Sequence, residues 1–169
     1  KRDIYDEIYR DAIRLQSHMF MSNISLYAED PIIPSQTIYE VQLCARLGIK
    51  SIELNCFKTA TSGKYVCMHG GDPNYGDVGY QLVLKKSAYE ANPSAYPVPT
   101  GQSLIPYGDD AYFYPWDNMP NTSFDRLRND YYNRSKYAKY RVPITEPTEI
   151  LHECKKYDVM PIVAYCDDA

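Results

Sequence analysis

Residues 34–70 read PSQTIYEVQLCARLGIKSIELNCFKTATSGKYVCMHG, and the periodicity of this stretch changes within it. From about Ser35 to Leu47, the residues Ile38, Val41, Ala45 and Leu47 favour one face, as in an amphipathic helix, and Gly48 is a natural stop. Residues 49–55 (Ile-Lys-Ser-Ile-Glu-Leu-Asn) alternate as a half-buried strand does. Thr61-Ser62-Gly63-Lys64 is a turn, and Lys64 to Met68 is expected to be the next strand. In an alternating strand Glu53 and Asn55 point to the same side, two positions apart.

Outward from this stretch the elements continue. Ile4, Ile8, Ala12 and Leu15 recur at helical spacing over residues 3–15, and residues 19–24 (Met-Phe-Met-Ser-Asn-Ile) form a short apolar strand pattern. Residues 70–121 carry most of the Pro and Gly without a clear period, with short strands expected near Tyr80–Leu84 and Ala111–Tyr114. So long a segment reads as an insertion or lid. Thr122-Ser123 caps a helix through about Tyr131. Thr145-Glu146-Pro147 starts another that ends near Tyr157, and Val159 to Tyr165 is a final apolar strand. Strands separated by helices imply an α/β fold with parallel pairing and right-handed crossovers. A complete (β/α) barrel needs about 250 residues. The expectation is therefore part of a TIM-type barrel: a single domain over residues 1–169 with an insertion at about 71–121. Such a chain would be an excerpt of a longer protein, or would be completed by a partner.

The stretch also carries a resemblance. Pro34-Ser35-Gln36-Thr37, then Ala45-Arg46-Leu47-Gly48 leading to Glu53-Leu54-Asn55, then Gly63-Lys64-Tyr65-Val66-Cys67-Met68-His69, resembles the start of the glycerophosphodiester phosphodiesterase family. That family runs H-R-G, P-E-N-T before a helix, E-x-D on a strand, and a hairpin ending in H-D. Downstream, Ser123-Phe124-Asp125-Arg126-Leu127 and Pro143-Ile144-Thr145-Glu146-Pro147 are similar to two further helix starts of the family. The resemblance implies a phospholipase-C-like phosphodiesterase barrel and hydrolysis of a small phosphodiester or polyol-phosphate substrate. It further implies Glu53 and Asn55 as ligands of a divalent cation, Ca²⁺ or Mg²⁺, and His69 as a catalytic acid or base. Hard cations take oxygen ligands, polarise a phosphoryl oxygen and neutralise transition-state charge.

The sequence departs from the family at several of these positions. Asn55 stands where the family has Asp, and Gly70 follows His69, with Asp72 two positions on. Ser22-Asn23-Ile24 falls at the H-R-G position, so Ser22 and Asn23 replace a His and an Arg unless a shifted register brings in His18. The third carboxylate position falls near Ala164 or Tyr165, with Asp167 and Asp168 beyond it. Loss of one acid/base group costs about 10²–10⁴ in rate. The alternative is therefore a catalytically degenerate barrel that serves as a binding or structural module. A phosphatidylinositol-specific phospholipase pattern fits the P-x-x-T and E-x-N spacings less well.

Composition narrows the classes. In 169 residues the net charge is −4, which offers no nucleic-acid footprint. No apolar run reaches the roughly 20 residues of a membrane span. The five cysteines form no C-x-x-C pair and read as small buried hydrophobes. The 18 tyrosines, many between Tyr75 and Tyr140, either pack the insertion or offer protein or glycan contacts.

Overall fold

The computed structural model describes residues 33–59, 62–68, 82–98, 100–101, 103–114, 123–133, 135 and 137–167. The helix expected over residues 3–15 and the strand at 19–24 lie outside them. Helix α1 (Ile38–Leu47) ends at Gly48, whose φ of 71° lets the N–H groups of Gly48 and Ile49 turn back to Ala45 and Cys44. That left-handed conformation is one glycine adopts freely. Strand β1 (Ser51–Lys58) follows, with Ile52, Leu54 and Cys56 buried and Glu53, Asn55 and Phe57 half-buried. Strand β2 (Tyr65–Cys67) returns antiparallel to β1.

Strand β3 (Leu82–Lys85) runs directly into the short helix α2 (Lys86–Ala91). Strands β4 (Ile105–Tyr107) and β5 (Ala111–Phe113) make a hairpin whose turn holds Gly108 at a φ of 64°. Ser123 caps helix α3 (Phe124–Asp130), its hydroxyl accepting the Arg126 N–H, and strand β6 (Tyr131–Asn133) follows at once. Helix α4 (Pro147–Tyr157) begins where Pro147 tolerates the missing donor, and β7 (Met160–Asp167) is the last described strand.

The expected TIM-type barrel arc is corrected here. The described strands form two separate sheets, a mixed one in the order β2-β1-β7 and an antiparallel one in the order β4-β5-β3-β6. Only β1 and β7 pair in parallel, through the long crossover that contains α4. A barrel needs successive parallel strands, each reached by a crossover. Here the described residues between 82 and 133 instead supply short strands that pair antiparallel, β4 and β5 through a tight hairpin. The span read as an insertion at about 71–121 supplies three of the four strands of that second sheet, and β6 supplies the fourth.

Two cores sit on opposite faces of β1 and β2. On one face Ile52, Leu54, Cys56 and Cys67 pack against Val41 and Cys44 of α1 and against Ile150 and Cys154 of α4. On the other, Val66 and Met68 join Leu84, Tyr96, Tyr114, Phe124, Leu127, Tyr131 and Ile144. Strand β2 therefore contributes to both cores through simple alternation. Pro143 to Thr145 stitches the sheets together: Thr145 bridges to Cys67 and Pro143 to Tyr132. Arg128 adds a bridge between α3 and α4, donating to both carboxylate oxygens of Glu149 at 2.8 and 3.2 Å.

Five of the described tyrosines pack the interior. Tyr96, Tyr107, Tyr114, Tyr131 and Tyr132 are buried, and the Tyr114 and Tyr131 rings meet edge to face at 5.3 Å. Their hydroxyls find internal acceptors: Tyr96 on Asp130, Tyr107 on the Ser135 carbonyl and Tyr114 on the Pro97 carbonyl, each at 2.8 Å. Arg141 lies over the rings of Tyr107 and Tyr132 and donates to Ser135 and Asp110. Among the other described tyrosines, Tyr137 and Tyr157 are exposed.

Candidate ligand site at Asn55

Glu53 and Asn55 do share a face, as the alternation of β1 dictates, and both are half-buried. This face is the one that carries Phe57, opposite the helix-packed side. At Asn55 the regular sheet breaks on both flanks. Towards β7, Leu54 is paired with Val163 but Asn55 with Tyr165, so β7 carries one extra residue. Such bulges re-aim side chains and recur beside functional sites. Towards β2, the Asn55 carbonyl accepts the Met68 N–H at 3.1 Å. A continuing ladder would send the Asn55 N–H back to Met68. It goes instead to the side-chain Oε1 of Gln36, at 2.9 Å.

Gln36 is unusual in three ways. Its φ is 55°, in the left-handed region that a non-glycine residue occupies at a cost of about 1–2 kcal/mol. Its residue is 1% exposed, and its backbone N–H donates to the carboxylate of Glu40, itself 2% exposed. With Oε1 committed to Asn55, the amide Nε2 is left buried and unpartnered. The orientation is not ambiguous, because only an oxygen can accept the Asn55 N–H. A buried donor without an acceptor costs about 1–3 kcal/mol. Strain and an orphan donor thus coincide on one residue that also interrupts a ladder.

Thr37 completes this corner by donating its hydroxyl to the Pro34 carbonyl at 2.8 Å. Glu40 is buried on α1. Burial, then the carboxylates of Glu40 and Glu153, push the Cys154 thiol up to about 11. Among the described residues a second orphan amide exists, Nδ2 of Asn133 on β6, but neither left-handed backbone nor a ladder shift accompanies it. An open cleft on the antiparallel sheet, lined by Lys85, Lys86, Ser87, Glu90, Asp110 and Tyr132, holds none of the residues expected from the sequence. Its charges are largely matched, Lys86 with Glu90 and Asp110 with Arg141.

His69, Ser22, Asn23 and Asp72 lie outside the described residues, as do His18 and Asp168. Backbone register places Asp167 opposite Phe57, two residues along β1 from Asn55. Among the described residues no group of three or more His, Cys, Asp and Glu side chains is placed to hold a metal ion. Glu53 and Asn55 alone would give a Ca²⁺ or Mg²⁺ ion one carboxylate and one amide oxygen, and other positions expected to complete the set, Asp72 and Asp168 among them, lie outside the described residues. No catalytic step is therefore routed through a cation. Among the same residues no helix is long and apolar enough to cross a membrane.

Sequence reasoning missed Gln36 as a site residue. It sits inside the quoted Pro-Ser-Gln-Thr, where a polar residue before a helix reads as part of the cap. Comparison with protein-family models, curated proteins and solved structures gives no match to this chain.

Proposed function

We propose that this chain is a binding module for a hydroxyl-rich ligand, a polyol or the polyol portion of a phosphate ester, seated against Gln36, Glu53 and Asn55. The observation that carries this reading is the buried, unpartnered Nε2 of Gln36 beside the half-open face of Asn55. A hydroxyl both donates and accepts. The amide would donate to its oxygen, and the Glu53 carboxylate or Asn55 amide oxygen would accept its hydrogen. The three side chains include no cation, whereas recognition of a free phosphate favours Arg or Lys. The polyol, more than the phosphate, then supplies the contacts. Three such hydrogen bonds, each worth a net of about 0.5–1.5 kcal/mol, correspond to a dissociation constant of about millimolar or weaker.

The test is calorimetric titration of the full chain with sn-glycerol 3-phosphate and, separately, inorganic phosphate. Saturable heat with the first, lost in Gln36→Leu, and none with the second is the expected pattern. Equal binding of inorganic phosphate would overturn the polyol reading.

Phosphodiester hydrolysis is the second reading. It is favoured by the hairpin, which brings Met68 opposite Asn55 immediately before His69 in the chain. Its test is cleavage of a glycerophosphodiester by the full chain with Ca²⁺ or Mg²⁺ present. Turnover abolished by His69→Ala is the supporting result, and turnover that survives this substitution would refute it.

A further inference from the structure

Cys56 and Cys67 stand directly opposite each other on β1 and β2, with their Sγ atoms 3.5 Å apart. The kind of pair decides what chemistry is open to them. The ladder bonds flank the two cysteines: Met68 N–H donates to Asn55 on one side and Thr59 N–H to Lys64 further along. The N–H of Cys67 points the other way, to the Thr145 carbonyl at 2.7 Å. Cys56 and Cys67 are thus a non-hydrogen-bonded antiparallel pair, the class with Cα atoms about 4.5 Å apart and side chains closest. That separation falls within the roughly 4.4–6.8 Å a disulfide spans. Both side chains lie on the helix-packed face, in contact and almost fully buried, so each is held within reach of its partner.

We propose that Cys56 and Cys67 form a cross-strand disulfide when the chain meets a small-molecule disulfide oxidant. One protein thiolate attacks the oxidant and releases one small thiol. The second protein thiolate then attacks the mixed disulfide and releases the other. Two protein thiols are oxidised to one disulfide, and one disulfide oxidant is reduced to two thiols that carry off the protons. Cys56 and Cys67 are both buried, so the oxidant reaches them as the chain folds or opens locally. The bond would fasten β2 to β1 one residue from Asn55 on one strand and one residue from Met68 on the other, rigidifying the edge of the candidate ligand site. It depends on strand register alone and stands whether or not that site binds a polyol.

The experiment refolds the full chain in a buffer of oxidised and reduced glutathione, so that burial does not limit access. Free thiols are then blocked under denaturing conditions and the unreduced protein is digested with trypsin. Lys58 and Lys64 lie between the two cysteines, so Cys56 and Cys67 fall in separate peptides joined only by a disulfide. The expected result is one dominant linked pair, Cys56 with Cys67, two hydrogens lighter than the separate peptides. It should persist in Cys44→Ser and Cys154→Ser and raise the denaturation midpoint of the oxidised chain. Blocked thiols at both positions, glutathione retained on Cys56, or preferential linkage of either cysteine to Cys44, Cys154 or Cys166 would overturn the proposal. Because the decisive reading comes from the unmutated chain, a variant that fails to fold does not obscure it.

Discussion

Gln36 shows how much a single side chain can hold in place. Its Oε1 closes the end of the β1–β2 ladder in place of backbone, and its own backbone is fastened to Glu40. Gln36→Ala removes the acceptor of the Asn55 N–H but also the orphan Nε2, two effects of about 1–3 kcal/mol and opposite sign, so chemical denaturation should register a shift smaller than either alone. A loss above about 3 kcal/mol would mean that the Nε2 donor carries no cost in the folded chain. Tyr96 makes a second prediction. Burial, then the Asp130 carboxylate that accepts its hydroxyl, raise its pKa from 10.0 to about 12. A group whose folded pKa is raised contributes stability present below its unfolded value and lost above it. This contribution is therefore complete below about pH 10 and disappears between about pH 10 and 12. Burial moves Tyr131 and Tyr132 in the same direction. Alkaline denaturation followed by tyrosinate absorbance should show a subset of rings that ionise only as the fold is lost, and Tyr96→Phe should flatten the fall in that window. At this scale Glu53 and Asn55 were legible, because alternation with period 2 fixes which residues share a face. Gln36 was not, because its role comes from a left-handed backbone and a neighbouring ladder that no local pattern encodes.

Among the elements, α4 was read from Thr145-Glu146-Pro147 to Tyr157 and runs from Pro147 to Tyr157, because its N-terminal signals are local. Glu149 does double service there, accepting the Glu146 N–H at 2.7 Å while holding Arg128 of α3. Glu149→Ala should cost about 1–2 kcal/mol through the lost cap and pair. Arg128→Ala should cost less, since it leaves the cap intact. Equal losses in denaturant melts of the two variants would show that the cap contributes nothing. At the other end Asp158 closes the helix at a φ of 55°. Asp158→Gly should raise stability by about 0.5–1 kcal/mol by relieving that strain, and a lowered midpoint would contradict it. The short elements escaped the sequence reading for a common reason. Helix α2 spans six residues, too few to show a period, and strand β6 spans three. Tyr131 was read as the end of a helix, yet Tyr131 and Tyr132 pair with Leu84 and Val83 of β3. Tyrosine fits a strand only once a partner strand is present.

For the whole molecule, parallel β1 and β7 with helices between them look locally like one unit of a barrel, which is why a barrel was expected. The outcome turned on residues 82–133. Their short apolar runs pair antiparallel with one another and build a tyrosine-filled second sheet. Because Cys67 packs with the helices while Val66 and Met68 pack with the tyrosines, the two halves share β2. Heat or denaturant should therefore produce one transition, with helical circular dichroism and tyrosine near-ultraviolet signals moving together. Separated transitions would mean the cores fold independently. The central claim, that the orphan donor of Gln36 exists to meet a ligand oxygen, is tested most directly on that amide itself. In a ¹⁵N-labelled full chain, the side-chain NH₂ resonances of Gln36 can be assigned by their loss in Gln36→Glu. Titration with sn-glycerol 3-phosphate should move them saturably, with a midpoint of about millimolar. Side-chain amide resonances that stay fixed through tens of millimolar, while others shift, would contradict the claim.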